Sequence, residues 1–255
     1  MKQPRRRLAN LTVLGTTQIH LRSPWVAAWW SAALPGFGHL LLGKYTIGFL
    51  LIFWEIIINM YAKLNIAMFY SFTGDFEIAK STLDQRWLLL YTAVYLFSIW
   101  DSYRSSVEIN KLYHLAQREN AKIPSYKLSY IGIIYLDKKT PWVSVIWSHF
   151  MPGLGHLYIH RIITAFFFMV GMIIFTYQSH ALEALHMSFM GQFDQTKKII
   201  DVQWFLYIPS IWGFAIYDSY VNTVENNKLF NKEQRDYLMQ NFQNKPYAIP
   251  FKIEP

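Results

Sequence analysis

The chain contains no cysteine and few charged residues, and both absences exclude whole classes of protein. Without cysteine there can be no disulfides, thiol nucleophiles, iron–sulfur centres or cysteine-ligated zinc sites. Only 16% of the 255 residues are charged, whereas soluble proteins carry roughly 25%. No nucleophile elbow, Walker loop, H-E-x-x-H motif or dinucleotide fingerprint occurs either. The sequence therefore predicts no cofactor, no metal and none of the common catalytic motifs.

The residues that are abundant are apolar and aromatic. Hydrophobic residues make up 53% of the chain and aromatic residues 18%. Such a chain would collapse, which excludes a disordered or nucleic-acid-wrapping protein. The mean hydropathy of +0.14 averages apolar blocks with polar connectors. The composition predicts an integral membrane protein, and its net charge of +8 matches the basic excess of cytoplasmic loops.

The sequence contains an internal repeat. The segment SPWVAAWWSAALPGFGHLLLGK, from Ser23, reappears as TPWVSVIWSHFMPGLGHLYIHR, from Thr140. Pro24 and Pro141 are 117 positions apart, and the same offset aligns identical residues through the rest of each copy without a gap. Coincidence cannot maintain one register over such a length. The duplication predicts either a duplicated packing unit or a site where the two copies meet.

Each copy contains three apolar blocks. The first, Trp25–Leu34 in copy one, is too short for a span, which needs about 20 residues. The second and third are long enough, and these blocks are Tyr45–Leu64 and Trp87–Tyr103, with partners from Ile162 to about Ala181 and Trp204–Tyr220.

The predicted fold class is an all-α polytopic membrane protein with a tandem pseudo-symmetric repeat. Each copy contributes a short re-entrant or interfacial half-helix and two transmembrane helices, and short cytoplasmic strands are predicted at Leu11–Leu21 and Leu128–Asp137. The predicted organisation is repeat 1 at 1–117 (membrane unit about 24–103), repeat 2 at 118–237 (membrane unit about 141–220) and a cytoplasmic tail at 238–255.

Loop charges determine the predicted topology. Lysine and arginine are concentrated in the N-terminal arm, the central connector and the C-terminal tail, whereas the loops after the second blocks also carry acids. Since basic loops face the cytoplasm, all three basic regions are predicted there, which requires an even number of spans per copy. The prediction is four spans with parallel copies. The alternative is six spans with an inverted second copy.

The proline–glycine turns are the first candidate site. Proline ends the half-helix, and glycine permits a sharp reversal of the chain. Such a turn serves either as a packing corner or as a pocket where backbone amides and a histidine meet an anion or a lipid headgroup. A histidine in this place is expected to hydrogen-bond freed backbone. The turn residues are Gly36, Gly38 and His39 in copy one and Gly153, Gly155 and His156 in copy two.

The charged candidates lie at the ends of the spans and within one of them. Asp101 and Asp218 end the last span of each copy, where the matching Lys44 and Arg161 are their expected ion-pair partners. The alternative is a carboxylate at the helix end that is hydrated at the level of the lipid headgroups. Glu55 lies in the middle of the second block, where a carboxylate is expensive, and it is expected to face the interior and bond Asn59. Its counterpart is Met172.

This arrangement resembles the two-transmembrane domain family. The resemblance rests on the P-G-x-G-H turn, the following basic residue and a last span that ends in aspartate. It implies a membrane fold without catalytic activity. The histidine stands one place earlier than in the family's G-x-G-x-H-[RK]-F-Y-x-G-[RK] turn, and His160 occupies a glycine position. The matching residues are Gly36, Gly38, Gly43, Lys44 and Asp101, and Gly153, Gly155, Tyr158, Arg161 and Asp218.

Three functions remain open. The sequence favours a non-catalytic scaffold or accessory subunit of a bacterial membrane complex, because the shared polar residues lie at turns and helix ends. The second is a small transporter, flippase or lipid-binding protein with a site between the copies. The third is a membrane enzyme that uses the histidines and aspartates. The predicted location is the bacterial cytoplasmic membrane, and the predicted partners are lipid and a membrane protein or further copies of the chain, without nucleic acid.

Overall fold

The computed structural model describes residues 4–130 and 132–243, so the predicted tail lies outside the described residues from position 244 onward. The described chain is mostly helical, with two short β-hairpins. The strands are β1 (Ala9–Thr12), β2 (Gly15–Gln18), β3 (Tyr126–Ser129) and β4 (Gly132–Tyr135). The helices of the first half are α1 (Pro24–Ala33), α2 (Phe37–Leu41), α3 (Tyr45–Ala62), α4 (Leu64–Thr73), α5 (Phe76–Thr82) and α6 (Gln85–Glu119). Those of the second half are α7 (Pro141–Phe150), α8 (Leu154–Tyr158), α9 (Ile162–Gln178), α10 (Ala181–Phe189), α11 (Phe193–Ile199), α12 (Val202–Phe205) and α13 (Tyr207–Asn241).

Elements of the second half follow those of the first at the offset of the sequence repeat. The strands β3 and β4 begin and end 117 residues after β1 and β2, and α7, α8 and α11 do the same after α1, α2 and α5. Both hairpins are antiparallel, with Thr12 paired to Gly15 and Ser129 to Gly132 at their turns. Strands therefore form at both predicted segments, each as a hairpin that begins two residues before the segment.

Local sequence explains where the main helices begin and end. Proline at the first position starts both α1 and α7, where the missing amide hydrogen costs nothing. The side chain of Asp84 accepts from two backbone amides at the start of α6, and Asp201 does the same at α12, which satisfies otherwise unpaired donors. The short first helix of each copy, predicted to end before the proline–glycine turn, is confirmed.

The second apolar block of each copy is interrupted near its predicted end. Helix α3 ends at Ala62, and Lys63 adopts a left-handed conformation before α4 begins. In the second copy α9 ends at Gln178, and His180 adopts the same conformation before α10. Among the described residues, α3 alone is long and apolar enough to cross a membrane as a single helix. Up to three segments qualify if the bent pairs α9–α10 and α11–α12/α13 each count as one span.

The main core lies where the two halves meet. Helices α1 and α3 pack on α6, while α7 and α9 pack on α13, and α12 also touches α4. Phe37, in the first turn, inserts into the second half and stacks on Phe214 with ring centroids 4.3 Å apart. It also contacts Phe168 edge to face. Its counterpart in the second copy is Leu154, so the two turns do not pack identically.

Candidate functional site

The glycines of the two turns allow close approach of backbone. Gly36 and Gly153 have φ values of 103° and 108°, a region that favours glycine. A Cβ atom at Gly36 would overlap the carbonyl oxygen of Gly48, and one at Gly153 would overlap that of Ala165. Each turn is therefore pressed against the backbone of the following long helix, which matches the packing-corner interpretation.

Gly38 and Gly155 serve a second contact, with the half-helix. A Cβ atom at Gly38 would overlap the carbonyl oxygen of Ala27 and the hydroxyl of Ser31, although its backbone dihedral angles are helical. Gly155 has the same relation to Ser144 and Ser148. The half-helix of each copy thus lies directly on the turn, where there is no room for a side chain at the glycine.

The two turn histidines each bond a buried aspartate. Nε2 of His39 lies 3.1 Å from Oδ2 of Asp101, and Nε2 of His156 lies 3.1 Å from Oδ2 of Asp218. Both imidazoles have 0% of their surface exposed. The expectation that these histidines bond freed backbone was therefore wrong. The turn directs them toward the last long helix of each copy, and a carboxylate is a stronger acceptor than a backbone carbonyl.

The second ring nitrogen of each turn histidine has no hydrogen-bond partner among the described residues. A doubly protonated ring would need an acceptor at both nitrogens, whereas a neutral ring needs one for its single N–H. The surroundings of His39 and His156 therefore fit the neutral tautomer with the proton on Nε2, donated to the aspartate. Each of these hydrogen bonds connects the turn to the last long helix of its copy.

The expected ion pairs with aspartate form in one copy only. In the second copy Nη1 of Arg161 donates to Oδ2 of Asp218 at 2.5 Å, as expected. In the first copy the expected Lys44–Asp101 pair was wrong, because Lys44 donates to Ser105 at 2.6 Å. Ser105 lies on the same helix as Asp101 and in turn donates to Oδ2 of Asp101 at 3.4 Å, so the hydroxyl stands between the ammonium group and the carboxylate.

The residue that forms an ion pair with the buried aspartate differs between the two copies. Asp101 pairs instead with Arg104, whose guanidinium is half-exposed and lies 3.3 Å away. Arg161 also donates from Nη2 to the hydroxyl of Tyr45 at 2.7 Å. The planar guanidinium thus bridges an aspartate of its own copy and a tyrosine of the other, which a lysine could not do with the same geometry.

Glu55 lies outside both turn clusters, in a separate buried polar cluster. Its side chain is buried and accepts from Nδ2 of Asn59 at 3.0 Å, as expected. Asn59 also bonds Asn65 at 3.0 Å and accepts from Nε2 of Gln203 at 2.9 Å. Because Gln203 belongs to α12, this cluster ties the first half of the chain to the second.

Sequence reasoning did not identify Asn65 and Gln203. Both follow a break in a helix, where polar residues are ordinary. A signal does exist: their counterparts in the other copy are Leu182 and Arg86. A polar residue whose counterpart in the other copy is of a different type is a candidate for a contact between copies, and Glu55 differs from its counterpart Met172 in the same way.

The chemistry available to these clusters is limited by burial. Among the described residues no group of three histidine, aspartate or glutamate side chains is arranged to hold a metal ion. The imidazoles of His39 and His156 are closed to any solute outside the protein in this conformation, and a general acid or base must be within hydrogen-bond reach of its substrate. Each pair joins the turn to the last long helix of its copy.

Comparisons of the chain with family models, with curated proteins and with solved structures give no match. The resemblance to the two-transmembrane domain family therefore stays a prediction. It rests on the turn glycines, on Lys44 and Arg161, and on Asp101 and Asp218.

Proposed function

We propose that the protein is an integral membrane scaffold or accessory subunit without catalytic activity of its own. The observation that supports this proposal is that the turn histidines and the aspartates, which both copies share, are buried and bonded to each other. His39 is bonded to Asp101 and His156 to Asp218, all four buried. The space beside each turn glycine is occupied by backbone and side-chain atoms of neighbouring helices. Residues that are buried and bonded in this way stabilise the fold and are not available to bind a substrate.

The outer surface supports a membrane location. Large apolar side chains lie exposed on α1, α3, α6, α7 and α9, where an ordinary soluble monomer would carry charge. A bilayer would cover them. Examples with more than half of their surface exposed are Trp25, Leu50, Phe53, Leu89, Trp100, Trp142, Phe166 and Ile173. The proposal places α3, α9 and the apolar parts of α6 and α13 in the bacterial cytoplasmic membrane.

The proposed topology keeps both copies parallel. The N-terminal arm, the central connector and the C-terminal region face the cytoplasm, and the half-helices α1 and α7 enter the bilayer without crossing it. The turn that follows each half-helix is covered by protein, which is the condition under which irregular backbone survives at membrane depth. Partners of such a scaffold are lipid and a membrane protein or further copies of the chain.

A deletion strain of the host provides the test of the scaffold. Variants at His39, Asp101, His156 and Asp218 are expressed, and the amount of folded protein in the membrane is measured beside complementation of the deletion. We expect complementation to follow the amount of folded protein for every variant. A variant that accumulates fully in the folded form and yet fails to complement would contradict the scaffold and favour a chemical role.

A small transporter is the second candidate, because Glu55 is a buried carboxylate at the contact between the copies. A Glu55→Gln variant keeps the acceptor for Asn59 and removes the charge. In a flux assay on vesicles, a transporter that depends on this carboxylate fails, whereas a scaffold retains its complementing activity. The matched control is Met172→Gln, which places the same amide at the equivalent position of the other copy.

A further inference from the structure

The segment that connects β2 to α1 contains a buried histidine without a hydrogen-bond partner. His20 has 8% of its surface exposed, and neither of its ring nitrogens bonds any described residue. Burial, and then the neighbouring charge of Arg22, lower the pKa of His20 to about 3. The ring is therefore neutral at physiological pH. A buried imidazole with both nitrogens unpaired is costly, unless a ligand or water meets it.

Next to it, Arg22 carries a charge that the described protein does not neutralise. No carboxylate in residues 4–130 or 132–243 forms an ion pair with its guanidinium. The one hydrogen bond that its side chain makes to a described residue, from Nη2 to Oδ1 of Asn222, is long at 3.5 Å. Two acids act on Arg22 through their charge, and each is already paired with another cation: Asp218 with Arg161 and Glu225 with Lys228. Neither carboxylate is therefore left for Arg22 alone.

The second copy provides an internal comparison. Lys139 is the counterpart of Arg22, and the backbone of each is clamped by a matching asparagine: Asn110 bonds the amide and carbonyl of Arg22, and Asn227 bonds those of Lys139. The counterpart of His20, however, is Asp137, whose Oδ2 lies 3.6 Å from Nζ of Lys139. The second copy therefore supplies an internal anion at the place where the first copy has a neutral histidine.

A small polar cavity lies beside the side chain of Arg22. It has a volume of about 20 Å³, and His20, Arg22, Arg161 and Asn222 line it. That volume admits a water or one oxygen of a larger group. The rim includes Thr17, which is exposed, so the remainder of a ligand can stay outside. A second cavity of about 170 Å³ lies beside His20 and is lined by Lys228 and Lys232, both already paired with acids.

We propose that His20 and Arg22 form a binding site for a phosphate group, in which a phosphate oxygen supplies Arg22 with the negative charge that Asp137 supplies to Lys139 in the second copy. Arg22 would neutralise the charge and donate from its guanidinium, and His20 would donate from one ring nitrogen. Backbone clamping by Asn110 holds the cation in place before the ligand arrives. The source is either an anionic lipid headgroup or free phosphate. This site goes beyond the proposed scaffold role and does not depend on it.

Two probes distinguish the sources. The full-length protein in phosphatidylcholine nanodiscs is titrated with inorganic phosphate while its unfolding is followed by tryptophan fluorescence. The same protein is then placed in nanodiscs that contain phosphatidylglycerol, without free phosphate. A rise in Tm with phosphate alone identifies a free anion as the ligand, and a rise with phosphatidylglycerol alone identifies a headgroup. A rise with both also supports the site, and a rise with neither overturns it.

Matched variants locate the effect. Arg22→Gln is expected to weaken binding about tenfold or more, since it removes a charge-assisted hydrogen bond, whereas Lys139→Gln is expected to leave binding unchanged. Equal weakening by both variants would overturn the proposal, because the bound anion would then be attracted by overall charge alone.

A second substitution does not depend on detecting a bound ligand. His20→Asp places a carboxylate where the second copy has one, so it should abolish the response to the probe and raise Tm in phosphatidylcholine nanodiscs without phosphate. The control is His114→Asp, at an exposed histidine of α6. A His20→Asp protein that is less stable than the wild type without ligand, or that still responds to the probe, would show that no anion belongs at this position.

Discussion

Arg161 donates from Nη1 to Oδ2 of Asp218 at 2.5 Å, and both side chains are buried. The equivalent Lys44 of the first copy is half-buried and bonds the hydroxyl of Ser105 instead. We therefore expect Arg161 to contribute more to the free energy of unfolding than Lys44, although the repeat relates the two positions. Removal of one partner of a buried ion pair leaves an unpaired charge, whereas loss of a hydrogen bond from a half-buried lysine leaves groups that water can reach.

Arg161→Gln is expected to lower the free energy of unfolding by about 3–5 kcal/mol, and Lys44→Gln by about 1 kcal/mol. Chemical denaturation of the purified protein in detergent measures both. A double variant, Arg161→Gln with Asp218→Asn, should recover part of the loss, because it removes the carboxylate left without its cation. Equal losses at Arg161 and Lys44 would contradict the difference between the copies.

The turn glycines predict a contrast with a glycine on an open helix face. Gly38→Ala should lower the free energy of unfolding by about 1–3 kcal/mol or more, since the added methyl group overlaps backbone of α1. Gly213→Ala, in α13, meets no atom within 4 Å and should raise stability by up to about 1 kcal/mol. Thermal unfolding of the two variants tests this, and a neutral Gly38→Ala would mean that α1 does not rest on the turn.

The hydrogen bonds around Asn59 predict that its side-chain amide contributes more to stability than the charge of Glu55. Asn59→Ala removes a partner from Glu55, Asn65 and Gln203 together, and each buried polar group left unpaired costs about 1–3 kcal/mol. Glu55→Gln keeps an acceptor for Asn59 and should change stability by less than about 1 kcal/mol. Chemical denaturation of the two variants shows which substitution lowers the free energy of unfolding more. If Glu55→Gln destabilised the protein more than Asn59→Ala, the charge itself would be structural.

The N-terminal arm is held to the end of α6 by a carboxylate. Glu119 accepts from the backbone amides of Arg5 and Arg6 and pairs with the Arg6 guanidinium at 2.6 Å. The backbone hydrogen bond from Arg6 is the largest cause that holds the pKa of Glu119 below its ordinary value. The contact is therefore fully formed above the unfolded-state pKa, and it is lost as pH falls through the lowered pKa of the folded state.

Hydrogen exchange of the Arg5 and Arg6 amides follows this contact. Protection should persist at neutral pH and disappear under acid conditions, after allowance for the intrinsic pH dependence of exchange. Glu119→Gln should lose protection at neutral pH and become more sensitive to trypsin at Arg5, Arg6 and Arg7. The control is Asp236→Asn, at the equivalent position of the second copy. Protection of the arm in Glu119→Gln equal to that of wild type would show that the carboxylate does not hold it.

The sequence predicts the elements better than their contacts. The ends of α1 and α7 follow from proline and glycine, and α3 and α9 follow from long apolar runs, because these signals are local. The His39–Asp101 bond joins residues 62 positions apart. Local pattern gives no reason to prefer Asp101 over freed backbone as the partner of His39, or to prefer Ser105 over Asp101 as the partner of Lys44. Those choices depend on how the turn aims each side chain against the long helix.

Contacts between the copies were the least predictable, since the repeat draws attention to what the copies share. Glu55, Gln203 and His20 are all residues that one copy has and the other lacks. Equivalent positions of a duplicated chain have different neighbours where the two halves touch, so differences between the copies can accumulate there. The differences between aligned copies are therefore the positions to inspect for interface residues and for sites that one copy alone carries.

The absence of native cysteine allows the topology to be decided with one matched pair. Asp75 and Gln192 are equivalent positions in the two copies, and both are exposed. Parallel copies place them on the same side of the membrane, and an inverted second copy places them on opposite sides. We expect single cysteines at both positions to react with an impermeant maleimide on intact cells.

The internal reference is Asn120, an exposed residue of the central connector, where a cysteine should react only in inside-out vesicles. A cysteine at Phe37 serves as the buried control and should not react from either side, because its side chain has no exposed surface. Labelling of the Asp75 and Gln192 cysteines from opposite sides would establish inverted copies and six spans. Labelling from the same side, with Asn120 opposite, requires an even number of spans in each copy, because the basic connector between the copies then stays in the cytoplasm.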